Sequence, residues 1–351
     1  MSEQNNKILG VIAEDMRRLS GNVFTEKQFL MMDSRIKRRL AELGMQDLNQ
    51  YFDHYTRNKE SESQELLSLL TTHYTFFFRE FEAFIRLQEI LPKLVESAKK
   101  QGRSKLKIWS SACSYGHEVY TMAMFLEKNL VNGPLKFDYQ ITASDIDPQA
   151  VKRAQNGVFR KSDLNKVPLE YSQGLWDKGR GDKADFVRIK KSILDKCEFT
   201  THNLLESAQN LGKFDAVLAR NVLIYFNEQN VAIASKNLLD SLEDPGVAIC
   251  GVSEYLNIPD KGVTKIVGPL YLKDSTAAQS AVERPAAAEK PQTVVAKDKV
   301  LKVVCVDDSR SVLSLLGKML TKDRGFEIVA TAGDGVEAQS VIKRVKPDLV
   351  T

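Results

Sequence analysis

An α/β fold built around a parallel sheet is predicted by three observations. Between Lys105 and Phe226 lie four apolar strand-like runs; helical stretches alternate with them; and each run ends in small or polar residues. The runs are LKIWSSACSYGHE (106–118), YQITASDID (139–147), CEFTTHNLL (197–205) and FDAVLARNVLIYF (214–226). Strands and helices that alternate from Lys105 to about Leu272 are the signature of a three-layer domain. A parallel sheet builds its ligand crevice at the carboxyl ends of its strands, so the four tips should converge on one nucleotide-type cofactor site.

Composition sets the outer limits. A chain of 351 residues has room for two or three domains with proper cores. Hydrophobic residues at 43% and charged residues at 27% are ordinary for a soluble globular chain, and a net charge of +4 is too mild to imply nucleic acid. No apolar run approaches the roughly 20 residues that span a bilayer, so no membrane insertion is expected. The polar start MSEQNNKILG does not have a signal-peptide layout. Cys113, Cys197, Cys250 and Cys305 form no CxxC pair, which indicates neither zinc nor a disulfide framework and fits a reducing cytoplasm.

Residues 1–95 read as an all-helical cap. Its clearest helix is FTEKQFLMMDSRIKRRLAELG, with Thr25 as N-cap, Phe29, Leu30, Ile36 and Leu40 as the apolar positions, and Gly44 as the stop. Arg35, Lys37, Arg38 and Arg39 are assigned to its outward face. DLNQYFDHYTRN and SESQELLSLLTTHYTFFFRE also read as helices. The α/β domain is expected over 96–273, interrupted at about 172–199 by a glycine- and charge-rich turn before FVRIK, which predicts a small antiparallel insertion. Residues 274–298, rich in Ala, Pro, Glu and Lys, read as a linker. A third unit, 299–351, starts a new strand–helix alternation and stops after about two turns of it.

The first tip, Ser110 to Glu118, has a single glycine and is no GxGxxG dinucleotide fingerprint; a nucleoside without a diphosphate fits better. Its small residues allow close approach to the backbone, and the helix HEVYTMAMFLEK offers its N-terminal amides. Asp145 is placed to accept from a ribose diol, while Asp147 is read as the cap of PQAVKRAQ. Asn203 and Leu204 could contact an adenine edge and face, or simply form a turn. Asn221 needs partners for its amide beside a buried run. Tyr225 reads more readily as core than as a catalytic group.

These residues resemble the chemotaxis receptor glutamate methyltransferase (CheR) family over roughly residues 8–272. The resemblance is carried by Thr72–Glu80 (T-x-x-T-x-F-F-R-E), Ser114–Glu118, SDID at 144–147, NLLE at 203–206 and RNVLIYF at 220–226. It implies a Rossmann-like fold dependent on S-adenosylmethionine, with Thr75, Arg79, Glu118, Asp145, Asn203, Leu204, Arg220 and Asn221 lining the pocket. Two positions depart from the family: His73 stands where Asn is common, and His117-Glu118-Val119 replaces Glu-Glu-Pro. His73 is still expected to donate one hydrogen bond there. The implied reaction is methyl transfer to receptor glutamates, with Arg79 and Tyr225 as the polar groups nearest the transfer. Arg35, Arg38 and Arg39 would meet acidic receptor helices, and Gly179 and Gly181 of the insertion would help dock a receptor's C-terminal peptide as an added strand. Two other readings compete: a non-catalytic scaffold that binds S-adenosylmethionine in a two-component system, and a methyltransferase acting on nucleic acid. The second has no long basic patch interleaved with aromatics to support it.

The last unit, with CVDDSR followed by a helix, resembles the start of a flavodoxin-like response-regulator receiver, of the kind found in methylesterases. Asp307 and Asp308 would hold Mg²⁺, and a histidine kinase would be the partner of a complete receiver. The phosphoacceptor aspartate of that pattern would fall two positions beyond Thr351, so this unit is expected to be the front part of a longer protein.

Overall fold

Four helices build the amino-terminal cap: α1 (Glu3–Ser20), α2 (Phe29–Glu42), α3 (Leu48–Arg57) and α4 (Lys59–Leu70). In this computed structural model the described residues are 2–258, 262–266, 268–275, 300–307, 313, 316–317, 320–322 and 325–351. Thr25 caps a short 3₁₀ turn ahead of α2 through a capping box with Gln28, and Gly44, at φ +70°, ends the helix region as expected. The core of the cap holds Leu9, Ile12, Met16, Met32, Ile36, Tyr51 and Leu66. Leu30 is not part of it and is 68% exposed. Successive helical residues turn by about 100°, and Phe29, Met32, Ile36 and Leu40 already fill the inward stripe.

The outward basic face of α2 is also corrected. Arg35 donates to the carbonyls of Leu69, Leu70 and Thr71 at 2.9–3.0 Å, satisfying orphan acceptors at the end of α4. Arg39 makes a two-point bond to buried Glu62 at 2.9 and 3.0 Å, where the Tyr51 hydroxyl also donates. Only Lys37 and Arg38 of the four point outward. The predicted helix through 61–80 stops at Leu70. Beyond it His73–Glu80 is irregular, with left-handed backbone at Phe78 (φ 59°) and Glu80 (φ 48°).

The next helix, α5 (Glu82–Lys100), was expected to close the cap. It instead packs Phe84, Leu87, Leu91 and Leu94 into one core with Leu106 and Ile108. The cap therefore ends near residue 71 rather than 95. Helical spacing gave α5 the same signature as its neighbours, and only the partner of its apolar face distinguishes it.

A seven-stranded sheet runs in the order β6-β2-β1-β7-β8-β10-β9. The strands are β1 (Lys105–Ser110), β2 (Asp138–Asp145), β6 (Cys197–Thr201), β7 (Phe214–Ala219), β8 (Leu242–Cys250), β9 (Val263–Lys265) and β10 (Leu270–Lys273). The first five are parallel; β10 is antiparallel to β8 and to β9. On β1, Leu106 and Ile108 face the core shared with α5 and α6 (His117–Leu126), and Trp109 faces the opposite core. That second core is closed by α10 (Glu228–Asp240), after α7 (Pro148–Asn156) and the short α8 (Leu169–Ser172) and α9 (Lys191–Leu194). Strand order reverses beside β1, so the switch point lies between β1 and β7, where such sheets place ligands.

The antiparallel insertion is present but starts earlier than 172. Its order is β3-β5-β4, from Val158–Arg160, Phe186–Ile189 and Trp176–Lys178. The three residues of β3 were too few to register as a strand in the sequence. Gly179 and Gly181 shape the loop after β4: a Cβ at Gly179 would meet the Lys183 carbonyl oxygen at 1.9 Å, and Gly181 has φ +55°. His117 anchors this subdomain, with its ring 4.7 Å from Phe77 and 4.8 Å from Phe159 of β3. Burial disfavours the imidazolium and lowers its pKa from 6.5 to about 4.

The chain divides into two compact units, Met1–Glu283 and Arg284–Thr351. The second contains a parallel sheet in the order β12-β11-β13, with β11 (Leu301–Val306), β12 (Phe326–Ala332) and β13 (Leu349–Val350), and the helix Gly335–Val345. Asp307 follows β11 and its amide donates to Ala332 at 3.1 Å. Asp308, residues 276–298 of the expected linker and most of the helix-like run after Asp308 lie outside the described residues.

Two predictions concern stability. Asp215, fully buried at the start of β7, takes two 2.7 Å bonds from Arg103 and one of 2.8 Å from the Lys107 amide. Asp215→Ala leaves that guanidinium unpaired and should cost about 3–5 kcal/mol in denaturant unfolding; a loss below 1 kcal/mol would contradict this. For His117 the folded pKa lies below the unfolded one, so the unfolded chain takes the proton first as pH falls. Stability should decline from pH 6.5 towards 4, by about 2 kcal/mol at pH 5 from this group alone. His117→Phe should remove that part of the decline in melting curves recorded between pH 7.5 and 5.

Candidate cofactor and transfer site

The four predicted tips meet in one open cleft, the concave kind of place where small-molecule sites form. His73, Thr75, Arg79, Glu118, Asp145, Asn203, Leu204, Arg220, Asn221 and Tyr225 all line it. Arg35, Arg38, Arg39, Gly179 and Gly181 do not, and Asp307 belongs to the second unit.

The β1 tip is a close-approach turn. Gly116 (φ +89°) precedes α6, and a Cβ there would come within 3.1 Å of Ala154 and Tyr120. Asp145, at the end of β2, accepts from the Ser114 amide at 2.8 Å and the Asp147 amide at 3.0 Å. Burial nonetheless raises its pKa, against these bonds. Each oxygen keeps a lone pair, so this carboxylate is held in one orientation beside small residues. Asp147 caps α7 through the Gln149 amide at 2.9 Å, as expected.

His73 is more constrained than the sequence suggested. Nε2 lies 2.9 Å from Asp147 Oδ2 and 3.0 Å from Thr71 Oγ1, and Nδ1 lies 3.2 Å from Ser114 Oγ. Ser68 also bonds Asp147. Burial would raise the Asp147 pKa, but the His73, Ser68 and Gln149 bonds outweigh it and hold the group below the usual range. His73 therefore ties the end of the cap to the β2 tip rather than keeping a free donor for a ligand. Asn203 is similarly engaged: Nδ2 donates to the Leu19 carbonyl at 2.9 Å, and Oδ1 accepts from the Leu205 amide at 3.0 Å.

Arg220 occupies the centre of the cleft wall with a buried side chain. Nη1 donates to Glu118 at 3.1 Å, and Nη2 to the Arg79 carbonyl at 2.6 Å and to Glu80 at 3.4 Å. Its Nε has no partner among the described residues. Glu118 also accepts from Ser110 Oγ at 2.7 Å, and burial raises its pKa despite Arg220. For Glu80, burial is outweighed by bonds from Asn221 and Val252 and by the charges of Arg220 and Arg79, so its pKa is lowered. Arg79 itself donates to the Tyr74 carbonyl at 2.8 Å and lies 3.9 Å from Glu80. Its guanidinium faces the Tyr74 and Phe76 rings at 5.6 and 5.9 Å, so near the mouth it is held by these rings, the Tyr74 carbonyl and a loose ion pair with Glu80.

Asn221 has left-handed backbone (φ 58°), and its partners were not foreseen. Its amide nitrogen donates to Glu254 at 2.7 Å and its side-chain nitrogen to Glu80 at 3.1 Å. Buried Glu254 also accepts from the Gly251 amide at 2.6 Å and the Ile224 amide at 3.2 Å. Glu80 stood inside a quoted motif but had no assigned role. Glu254 follows the apolar run VAIC at the carboxyl end of β8, and a lone acidic residue at a strand tip was the available signal. His202, buried against the Trp109 edge at 5.6 Å, also lines the cleft and was not singled out.

Residues 9–71 match the all-alpha domain of CheR methyltransferases, and residues 73–269 match their SAM binding domain. The chemotaxis protein methyltransferase of Salmonella typhimurium is 32% identical over 237 residues, covering 67% of this chain and 79% of that protein. The Escherichia coli protein of the same name is 30% identical over the same length and shares. Chemotaxis protein methyltransferase 2 of Pseudomonas aeruginosa is 32% identical over 246 residues, covering 69% of this chain and 84% of that one. The family boundary at 71–73 coincides with the end of α4 rather than with the expected 95. With a family match over more than half its length, the chain belongs to the CheR methyltransferases.

Proposed function

We propose that this methyltransferase transfers the methyl group of S-adenosylmethionine to glutamate side chains of chemotaxis receptors. The observation that carries the reading is the cleft itself: oriented carboxylates at its floor and Arg79 at its mouth. The donor set fits the cofactor. Asp145 suits ribose hydroxyls, since its oxygens are fixed by two amides. Leu204 offers an apolar face, and Glu118 offers a carboxylate to an ammonium group. When bound, the cofactor supplies a methyl group activated on a sulfonium.

The rest falls to the chain's own residues. A glutamate carboxylate is ionised at neutral pH, with an ordinary pKa of ~4.3, so no residue here needs to remove a proton. The acceptor oxygen forms the new bond while the carbon–sulfur bond breaks and its electron pair stays on sulfur. Catalysis then rests on positioning and exclusion of water. Arg79 is suited to hold a carboxylate, and Tyr225 to flank the transfer. This oriented set favours an enzyme over a cofactor-binding scaffold.

Receptor engagement is proposed at two further places. Arg38 is exposed on α2 beside Lys37, which is paired with Asp33 at 2.7 Å, and this face suits an acidic helix. β4 is an edge strand beside Gly179 and Gly181, which suits addition of a receptor peptide as a strand. The second unit's order β12-β11-β13, with Asp307 after β11, supports reading it as the front of a receiver. There Asp307 with Asp308 would bind Mg²⁺, and a histidine kinase would supply the phosphoryl group. A cytoplasmic location follows from this reading.

Two predictions follow from the cleft. Wild-type protein given radiolabelled S-adenosylmethionine and receptor-containing membranes should label the receptor, with the label released as methanol in base. Base-stable label would reject a glutamate ester. Arg79→Ala should lower that transfer by ~10²-fold while the melting temperature stays within a few degrees of wild type; unchanged transfer would remove Arg79 from the mechanism.

A further inference from the structure

His202 is a buried polar residue of the cleft for which neither the fold nor the transfer chemistry accounts. Its amide donates to the Asp145 carbonyl at 3.0 Å, which carries the β2–β6 ladder one residue past the Asp145–Thr201 pair. The residue is therefore fixed at the carboxyl end of the sheet, beside Asp145 and directly ahead of the Asn203–Leu204 turn. It lines the cleft, is only 7% exposed, and sets its ring 5.6 Å from that of Trp109 at an angle of 61°. Trp109 is itself anchored by a 2.9 Å bond from its indole nitrogen to Ser144 Oγ.

Neither ring nitrogen of His202 is bonded to the chain among the described residues. Nε2 is fully enclosed and has no partner. Nδ1 has none either but is not enclosed, so it opens on the cleft that the ring lines. An imidazole kept only for packing would be bonded through at least one nitrogen, as buried polar atoms nearly always are. Burial lowers the pKa of His202, outweighing the charge of Glu206, and leaves the ring neutral near pH 7. A neutral ring carries one proton. On Nε2 that proton would be a buried donor with no acceptor, the rarest kind of orphan, so the bonding pattern assigns it to Nδ1.

Among the groups of S-adenosylmethionine, Glu118 suits the ammonium and Asp145 the ribose hydroxyls. The apolar face of Leu204 suits the base, and the ring nitrogens of a purine are acceptors. We infer that His202 Nδ1 donates a hydrogen bond to a ring nitrogen of the adenine and so determines which base the cleft accepts. The inference rests on the S-adenosylmethionine reading of the cleft and deepens it. Leu204 can hold any flat ring. A fixed donor instead rejects a base that presents C–H at the same place, because the donor is then left unpaired.

The test measures calorimetric binding of S-adenosylhomocysteine and its 1-deaza, 3-deaza and 7-deaza analogues to the full chain. Wild type is compared with His202→Asn, whose amide nitrogen falls near the place of Nδ1, and with His202→Phe, which keeps a ring but no donor. Wild type should bind at least one analogue ~10-fold more weakly than the parent. His202→Phe should lose ~10-fold for the parent and bind that analogue within ~2-fold of it, while His202→Asn stays within ~3-fold of wild type and keeps the discrimination. Should His202→Phe not fold, as its melting curve would show, His202→Gln replaces it; its amide moves the donor towards Nε2 and should lose the discrimination too. Equal binding of all four ligands by wild type overturns the inference, as does full discrimination by the Phe or Gln variant. A uniform loss across all four ligands in every variant would show a structural role and also overturns it. If wild type binds none of the four, the S-adenosylmethionine reading itself fails and takes the inference with it.

Discussion

The cleft depends on the buried guanidinium of Arg220. A cation withdrawn from water is costly unless nearby acceptors replace its hydration. Here those acceptors come from separate parts of the chain: Glu118 from the start of α6, the Arg79 carbonyl and Glu80 from the segment after the cap. Satisfying one charge therefore draws three walls together. The two carboxylates that share it respond in opposite directions. Glu118, enclosed, is raised by burial, while Glu80, reached by Asn221 and the Val252 amide, is lowered. The first carboxylate sits deep and the second links the floor to the rim.

Strain collects around this charge. Phe78, Glu80, Ser114 and Asn221 are non-glycine residues with positive φ; Ser114 and Asn221 line the cleft, and Phe78 and Glu80 belong to the segment that supplies its His73–Arg79 wall. Each such residue costs on the order of 1 kcal/mol or more and persists only where its surroundings over-determine it. The bonds are there: Phe78 N–H to Thr121 Oγ1, Ser114 N–H to Asp145, Asn221 N–H to Glu254, and the Glu80 carbonyl to Arg220. Four strained positions on three chain segments are a condition of bringing those segments within reach of a single ligand.

The sheet and the crevice were legible in the sequence because those features are local, an apolar run and then a small or polar tip, while Thr75, Arg79, Glu118 and Arg220 were reached only through the family resemblance. Features that depend on tertiary partners were misplaced. α5 has the periodicity of a cap helix yet packs on the sheet. Arg35 and Arg39 look like surface cations, but they turn inward to meet carbonyls and a carboxylate that lie distant in sequence. The His73–Glu80 segment, read as a continuation of the helix before it, is rich in aromatic and other weak helix formers, and its bonds to Arg220, Thr121 and Asp147 hold it irregular. Glu254 was missed for a related reason, since its role rests on backbone amides, two of them in the distant 221–224 loop.

The cap contributes to the cleft. The Val23 amide donates to the Tyr225 carbonyl at 2.9 Å, Asn22 bridges Phe226, and Asn203 reaches back to Leu19. Gly21, at φ +79°, is the hinge of that connector, and a Cβ there would press within 2.5 Å of Leu205. Ser20 and Asn22 accordingly stand in the cleft wall beside the tips of β6 and β7. The all-helical cap and the sheet are joined by these few bonds, so the cap is part of the site and not an appendage to it.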